Sequence, residues 1–227
     1  RKHMERLNLP KSVGDIAVVL PKATVVFKKF GIDFCCGGHR ALDEVIAEKE
    51  LDRDAVYGEL QAVQAEAADL ANETDFANME SSDLIDYVVN THHVYLRQTL
   101  PELSTFTNAI LRAHGTHHTE LFQVHKLFHS LKTELEQHLF KEEEILFPLI
   151  KQGAPNDKIR ATIDETEAEH DTAGDILKEL RKITQDYLVP ADACGTYVKT
   201  YELLEEVESD LFQHIHLENN ILFKRFS

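Results

Sequence analysis

Apolar residues in the C-terminal two thirds of the chain recur every three or four positions, which is the period of an α-helix. In the segment after Thr116 they form one stripe, made of Leu121, Val124, Phe128, Leu131 and Leu135. The next two positions of this stripe are His138 and Glu142, and Ile145 and Leu149 continue it. A histidine and a glutamate therefore stand one helical turn apart on a face that is otherwise apolar.

The last helical segment repeats this arrangement. Its stripe consists of Leu204, Val207 and Leu211. The following positions are His214 and Glu218, and Ile221 comes after them. The two segments, HLFKEEEILF and HIHLENNILF, form a weak internal repeat. A buried carboxylate costs several kcal/mol unless it is paired or coordinates a metal, so two of them in one bundle indicate a compensating cation.

Other histidines share core stripes with apolar residues. His170 lies on a stripe with Ile163 and Leu177, and His114 comes directly before Gly115, where its helix is predicted to end. The periodicity favours His92 and His93 about equally and does not choose between them. Five further histidines fall outside these stripes or in a loop and are predicted to be solvated; they are His117, His118, His125, His129 and His216.

Imidazole and carboxylate ligands without thiolate suit iron, manganese or zinc, and helix bundles host carboxylate-bridged dinuclear centres. If both glutamates and one oxide or hydroxide bridge two ions, five histidines divide three and two. One ion then keeps an open position for a small ligand such as dioxygen, nitric oxide or water. The pattern thus predicts a dinuclear site in a bundle of four helices.

The composition limits the class of protein. Glycine and proline are scarce, with 9 and 6 among 227 residues, so we expect a nearly all-α protein. The formal charge of −16 repels phosphate backbones and makes nucleic acid a poor partner. No apolar run approaches the roughly 20 residues that cross a bilayer, so no membrane association is expected and the expected location is the cytoplasm.

The first 70 residues are predicted to form a separate domain of short helices. The first helix begins at Ser12 in capping style, and the second begins at Pro21 and ends at Gly31. A third follows Gly37-Gly38, and a fourth begins near Asp52. The polar residues 71–80 are predicted to be a linker, and residues 81–227 a second domain that holds the metal-binding helices.

Two cysteines, Cys35 and Cys36, are adjacent. Their Cα atoms must lie about 3.8 Å apart, closer than the roughly 4.4–6.8 Å of a relaxed disulfide, so we expect free thiols in a reducing compartment. Either the pair is functional, docking against the metal domain, binding a transient metal or exchanging with an acceptor, or it only packs. Cys194 is given no role.

Several stretches together carry a family resemblance. They are FCCGG at 34–38, LPEL at 100–103, HLFKEEEILFP at 138–148, EHDTAG at 169–174, ACGTY at 193–197 and HLENNILF at 216–223. With them, nearly the whole chain resembles the iron–sulfur cluster repair proteins of the ScdA/YtfE type, also called repair of iron centres proteins, whose C-terminal part is a haemerythrin-like four-helix bundle.

The resemblance implies two iron ions per chain. Carried over position by position, the family's ligands are His93, His114, His138, Glu142, His170, His214 and Glu218, which selects His93 over His92. The implied function is that of a cytoplasmic, homodimeric stress protein. Such a protein restores iron–sulfur clusters damaged by nitric oxide or hydrogen peroxide, and supplies iron to damaged or apo iron–sulfur proteins.

Two questions stay open at the level of the sequence, the role of two glutamates and the choice among three functions. Glu134 and Glu169 either line an acidic exit for iron or are ordinary exposed helix residues. The protein is either a repair factor or a haemerythrin-like sensor of dioxygen or nitric oxide, although a simple carrier needs no CCGG domain. A third alternative is an enzyme that reduces nitric oxide to nitrous oxide.

Overall fold

The computed structural model describes residues 7–67 and 74–227, and the regular structure in these residues is helical. The one pairing of extended backbone in them is an isolated antiparallel bridge between Ser12 and Ala41. The predicted all-α class is therefore confirmed. Within the same residues, none of the helices combines the length and the apolar character that a bilayer crossing requires.

Contacts between Cα atoms divide the chain into two units. The first comprises Arg1–Met79 with Ile215–Arg225, and the second comprises Glu80–His214 with Phe226–Ser227. The sequence places everything from residue 81 onward in one domain, whereas this division assigns the end of the last helix to the first unit. Of the predicted linker, residues 71–73 lie outside the described residues, and Phe76–Asn78 form one 3₁₀ turn.

In its described residues, the first unit contains four α-helices: α1 Val13–Val19, α2 Ala23–Lys29, α3 Leu42–Glu48 and α4 Arg53–Ala67. The side chain of Ser12 caps α1 by accepting the backbone N–H of Asp15 at 3.2 Å. Gly31 follows α2 with a φ of +65°, a conformation that glycine adopts without strain. The helix starts and stops predicted for this unit are confirmed to within a few residues.

The second unit contains six α-helices: α5 Ser81–Tyr87, α6 Val94–His114, α7 Glu120–Lys141, α8 Phe147–Lys151, α9 Asn156–Ile183 and α10 Gly195–His216. The helix α7 packs against both α6 and α9. One hydrophobic core joins buried residues of α6, α7, α9 and α10, with Leu103, Phe128, Leu180 and Leu204 among them. This is the predicted four-helix bundle.

Three π-helical segments interrupt the long helices: π1 Val88–His93, π2 Glu142–Leu146 and π3 Leu217–Leu222. A π-turn holds an extra residue, so it rotates everything that follows relative to a regular α-helix. After Glu142 the buried residues are Leu146 and Phe147, whereas Ile145 is 48% exposed. The sequence stripe that continues to Ile145 and Leu149 is therefore wrong, because it assumes a regular helix.

A buried ion pair fixes the end of α9 against α10. Glu208 is 2% exposed, and Arg181 donates to its carboxylate from Nε at 3.0 Å and from Nη2 at 2.6 Å. The hydroxyl of Tyr187 donates to the other carboxylate oxygen at 3.2 Å. Tyr187 ends a run of three residues with positive φ after α9. The pair thus holds a strained turn in place.

We predict that Arg181→Met lowers the free energy of unfolding by about 3 kcal/mol, because it leaves the Glu208 carboxylate buried without its guanidinium. The measurement is urea unfolding of the metal-free full-length chain, followed by circular dichroism. Arg160→Met is the matched control on the same helix, since Arg160 pairs with Asp164 at the surface, and it should cost less than about 0.5 kcal/mol. Equal effects of the two changes would contradict a structural role for the buried pair.

Candidate metal centre

The bundle places six of the seven predicted ligands together. They form two overlapping groups, His93, Glu142, His214 and Glu218 on one side and His138, Glu142, His170 and Glu218 on the other. Within each group, one ligand atom from every residue lies within 4.8 Å of the others. All six side chains are at most 4% exposed. Glu142 and Glu218 are the members that both groups share.

The carboxylate of Glu142 stands between two pairs of imidazoles. Its Oε2 atom lies 3.0 Å from Nε2 of His93 and 3.9 Å from Nε2 of His214. Its Oε1 atom lies 2.8 Å from Nε2 of His138 and 3.6 Å from Nε2 of His170. Each oxygen of this carboxylate therefore faces one histidine pair.

The helices position these side chains by short spacings. His138 near the end of α7 and Glu142 at the start of π2 are four residues apart, as are His214 in α10 and Glu218 in π3. On a continuing helix this spacing puts two side chains on one face. The repeat seen in the sequence thus supplies one histidine and one glutamate from each of two helices.

Hydrogen bonds on the outer side orient two of the imidazoles. Nδ1 of His93 lies 2.9 Å from Oε1 of Glu143, and Nδ1 of His138 lies 2.7 Å from Oε2 of Glu169. Because a carboxylate only accepts, both Nδ1 atoms donate to the outer carboxylates, and the inward Nε2 atom of each ring is the one left to bind a cation. In such carboxylate–histidine–metal arrangements the outer hydrogen bond fixes the tautomer that binds the metal.

The inward Nε2 atoms approach each other closely. Nε2 of His93 lies 3.2 Å from Nε2 of His214, and Nε2 of His138 lies 3.1 Å from Nε2 of His170. A cation bound by both atoms of such a pair would remove the repulsion between their lone pairs. Four imidazoles and two carboxylates, without thiolate, also match the donor set expected for iron, manganese or zinc. The residues present therefore fit a metal centre.

Two cations at the surface hold the outer carboxylates. Arg97 donates to Glu143 through both Nη atoms, at 2.8 and 2.6 Å, and Lys141 forms an ion pair with Glu169. Burial raises the pKa of Glu143, but hydrogen bonds from Arg97 and His93 outweigh it, and the pKa lies below its usual value. The hydrogen bond from His138 lowers the pKa of Glu169, and Lys141 adds to this effect. Both carboxylates are thus kept ionised.

The structure also decides between the adjacent histidines 92 and 93. His93 belongs to one of the two groups that could hold a metal ion, whereas His92 lies 2.9 Å from Asp210 through Nδ1 and stacks on the ring of His214 at 5.5 Å. Both are buried. They end the π1 segment, whose extra residue shifts the helical register, and this explains why the periodicity favoured neither.

His114 must be removed from the predicted ligand set. It ends α6, 21 residues after His93 on a continuous helical segment, so the two lie about 30 Å apart at a rise of about 1.5 Å per residue. Its ring instead contacts Tyr197, with centroids 5.2 Å apart. Periodicity placed it on the correct face but at the opposite end of the bundle.

The prediction that His216 is solvated is also wrong. It is 3% exposed, and burial lowers its pKa to about 4. His117 is exposed as predicted, while His118, His125 and His129 are half-buried and hydrogen-bonded. Glu143, Arg97 and Asp210 were not predicted as site residues, because they are not among the stripe positions that identified the ligands.

Comparison with known proteins gives two family matches. The hemerythrin HHE cation binding domain matches residues 84–226. The ScdA_N domain, described as a domain of unknown function, matches residues 9–64.

Curated relatives match nearly the entire chain. Proteins named iron-sulfur cluster repair protein YtfE from Enterobacter sp. (strain 638), Escherichia coli O81 (strain ED1a) and Citrobacter koseri are each 36% identical over 213 residues. The alignment covers 94% of this chain and 94% of each relative.

We predict that Glu142→Ala lowers the iron content of the reconstituted full-length chain at least about tenfold, because Glu142 faces both histidine pairs. His114→Ala and His125→Ala should keep the iron content of the unmodified chain. The measurement is metal analysis after anaerobic loading with Fe²⁺ and desalting. Unchanged iron in Glu142→Ala would remove that residue from the site, and loss of iron in His114→Ala would overturn the correction made above.

Proposed function

The chain belongs to the family of iron–sulfur cluster repair proteins of the YtfE type, and from this membership we propose that it repairs clusters damaged by nitrosative or oxidative stress by donating iron. The iron is cargo in this proposal: the protein holds it until an acceptor with a damaged or missing cluster takes it. The single observation that carries the proposal is the buried set of four imidazoles and two carboxylates.

Two iron ions per chain account best for this set. One ion is held by His93 and His214, the other by His138 and His170, and Glu142 and Glu218 bridge them. The position of each Glu142 oxygen opposite one histidine pair supports this assignment. With an oxide or hydroxide as third bridge, each ion has five ligands and one open position. This even division replaces the three-and-two division that included His114.

Release of iron requires a route from the buried site to solvent. Glu169 binds His138 on the inside and Lys141 on the outside, and its side chain is 22% exposed. Glu134 is exposed and acts electrostatically on the same lysine. Carboxylate oxygens bind iron readily, so these two glutamates remain our proposed exit from the position of His138 and His170.

A second approach to the site lies beside His93. A surface cavity of about 450 Å³ is lined by Glu143 and Phe147, among others. Glu143 hydrogen-bonds to His93, and the ring of Phe147 stacks on it with centroids 5.9 Å apart. His93 itself has no exposed surface, so a small ligand such as nitric oxide or dioxygen would have to pass between these two side chains to reach it.

The adjacent cysteines are our candidates for thiol chemistry during repair. Their sulfur atoms lie 4.0 Å apart, and Asp33 accepts hydrogen bonds from the backbone and the thiol of Cys35. The hydrogen bond to Cys36 and burial raise the pKa of Cys35 well above its ordinary value. Cys35 is thus a protonated thiol at neutral pH, and the half-buried Cys36 is the one that an acceptor reaches first.

The family resemblance supplies the rest of the proposal. Damaged or apo iron–sulfur proteins are the expected partners, and nitric oxide or dioxygen the expected small ligands. Location in the cytoplasm and assembly as a homodimer stay predictions.

We predict that a ferrous chelator removes iron faster from the reduced protein than from the oxidised protein, because Fe²⁺ has the lower charge density and binds these ligands less tightly. An apo cluster protein supplied with sulfide should take iron from the reduced form. Glu134→Gln should slow this removal, because it takes a carboxylate from the proposed exit and leaves the hydrogen bond of Glu169 to His138 in place. The measurements are chelator absorbance over time and the cluster spectrum of the acceptor.

Equally slow removal in both states, without transfer to the acceptor, would contradict donation. A nitric oxide reductase or a sensor would then be the better account. Nitrous oxide is counted per site after the reduced protein is mixed with nitric oxide and an excess of an electron donor, because each nitrous oxide consumes two nitric oxide molecules, two electrons and two protons. A sensor forms none, and an enzyme forms many equivalents.

We predict that the double change Cys35→Ser and Cys36→Ser leaves the iron content and visible spectrum intact but impairs repair in cells, because it removes thiols and no metal ligand. Cys194→Ser is the matched control and should repair normally, since Cys194 is exposed and lies elsewhere. Cluster-enzyme activity after nitric oxide exposure is the measurement. Normal repair by the double variant would favour a packing role for the pair.

A further inference from the structure

We propose that Asn220 is a positioning residue for Glu218, and that the segment Phe34–Gly38 acts through it to hold π3 in the register that metal binding needs. The inference rests on the proposed metal pair, and it assigns a role to the glycines of the CCGG motif that is separate from the thiols. All contacts that support it lie within the first unit, which includes residues 215–225.

Asn220 is the link between this segment and π3. Its side chain is 7% exposed, and its Nδ2 atom donates to the carbonyl oxygen of Phe34 at 2.7 Å. The same nitrogen lies 2.8 Å from Nδ1 of His216, one turn earlier on the helix. The ring of His216 meets the ring of Phe34 edge-on, with centroids 5.7 Å apart. Each of the two hydrogens on Nδ2 of Asn220 therefore has an acceptor, and the two hydrogen bonds fix the orientation of the amide.

Two glycines make room for this amide. A Cβ atom on Gly38 would lie 2.8 Å from Oδ1 of Asn220, and one on Gly14 would lie 2.7 Å from the same atom. Both distances are shorter than real contacts. The backbone N–H of Gly14 also donates to the carbonyl of Gly38 at 2.7 Å, so the two glycines form one surface. This surface fits the Asn220 amide and excludes a side chain at either position.

The consequence for Glu218 follows from its place in π3. It lies midway between His216 and Asn220, so the residues on either side of it are both held against Phe34. A π-turn is less stable than a regular α-turn and persists where other contacts favour it. If π3 returned to α-helical geometry, the side chains of this segment would rotate and Glu218 would leave the other ligands.

The test measures Fe²⁺ affinity of the full-length chain by competition with a ferrous chelator without oxygen. Asn220→Asp, Gly38→Ala and Gly14→Ala should each bind Fe²⁺ about 10- to 100-fold more weakly, an effect as large as the loss of a group that orients a ligand. Gly58→Ala is the matched control in the same unit, where a Cβ meets nothing within 4 Å. It should bind as the unmodified chain does.

A double-mutant cycle separates positioning from a general loss of stability. When Glu218→Asp is already present, adding Asn220→Asp should weaken binding by less than about threefold, because the carboxylate it acts on is displaced already. The magnetic coupling between the two ferric ions should fall in Gly38→Ala, since one carboxylate bridge is disturbed. Far-UV circular dichroism shows whether each variant folds. If Asn220→Asp does not fold, the Fe²⁺ affinity of Gly38→Ala tests whether the segment positions Glu218.

Two results would overturn the inference. One is an unchanged Fe²⁺ affinity in both Asn220→Asp and Gly38→Ala. The other is a double variant in which Asn220→Asp weakens Fe²⁺ binding by the same factor with Glu218→Asp present as it does alone. The iron stoichiometry of the unmodified chain tests the metal pair separately, because a value of one or zero contradicts the proposed function before any variant is compared.

Discussion

Glu142 is a carboxylate with no exposed surface inside a bundle of apolar helices, and four imidazoles surround it within 4 Å. Taking such a group out of water costs several kcal/mol, and neutral imidazoles alone do not compensate its charge. A bound cation does. Glu218 is a second buried carboxylate, and its charge needs the same compensation by a cation. Three other features serve the binding of such cations: the orientation of the histidines, the π-helical turns and the outer ion pairs.

The three π-segments show how the backbone takes part. Each lies at a ligand: π1 ends at His93, π2 begins at Glu142, and π3 contains Glu218. His138, His170 and His214 lie on regular α-helix. The other three candidate ligands lie at the π-segments, where the change of register alters the direction of a side chain from that of the α-helical period. The cost of the wider turns is offset by contacts such as those of Asn220 with Phe34.

The carboxylates on the outer side of the site orient the histidines but remain partly exposed to solvent. Glu143 and Glu169 orient His93 and His138, yet about a fifth of each of their side chains is exposed, and the cations that hold them stand at the surface. In a purely structural metal site the protein fills every coordination position, whereas a catalytic site keeps one position open. Polar groups that reach from the ligands to the surface suit a protein whose proposed task is to hold iron and then release it.

The sequence by itself determined the helical class, the pairs His138 with Glu142 and His214 with Glu218, and the family, because a 3.6-residue period reports which residues share a buried face. Periodicity does not tell where a residue lies along the axis of the bundle, or which side chains of other helices it contacts. Only the tertiary structure therefore excluded His114, chose His93 from geometry, and brought Arg97 and Glu143 to the outer side of that histidine. It also buried His216 and Asn220 beside Phe34, a contact between residues 186 positions apart that no local pattern encodes.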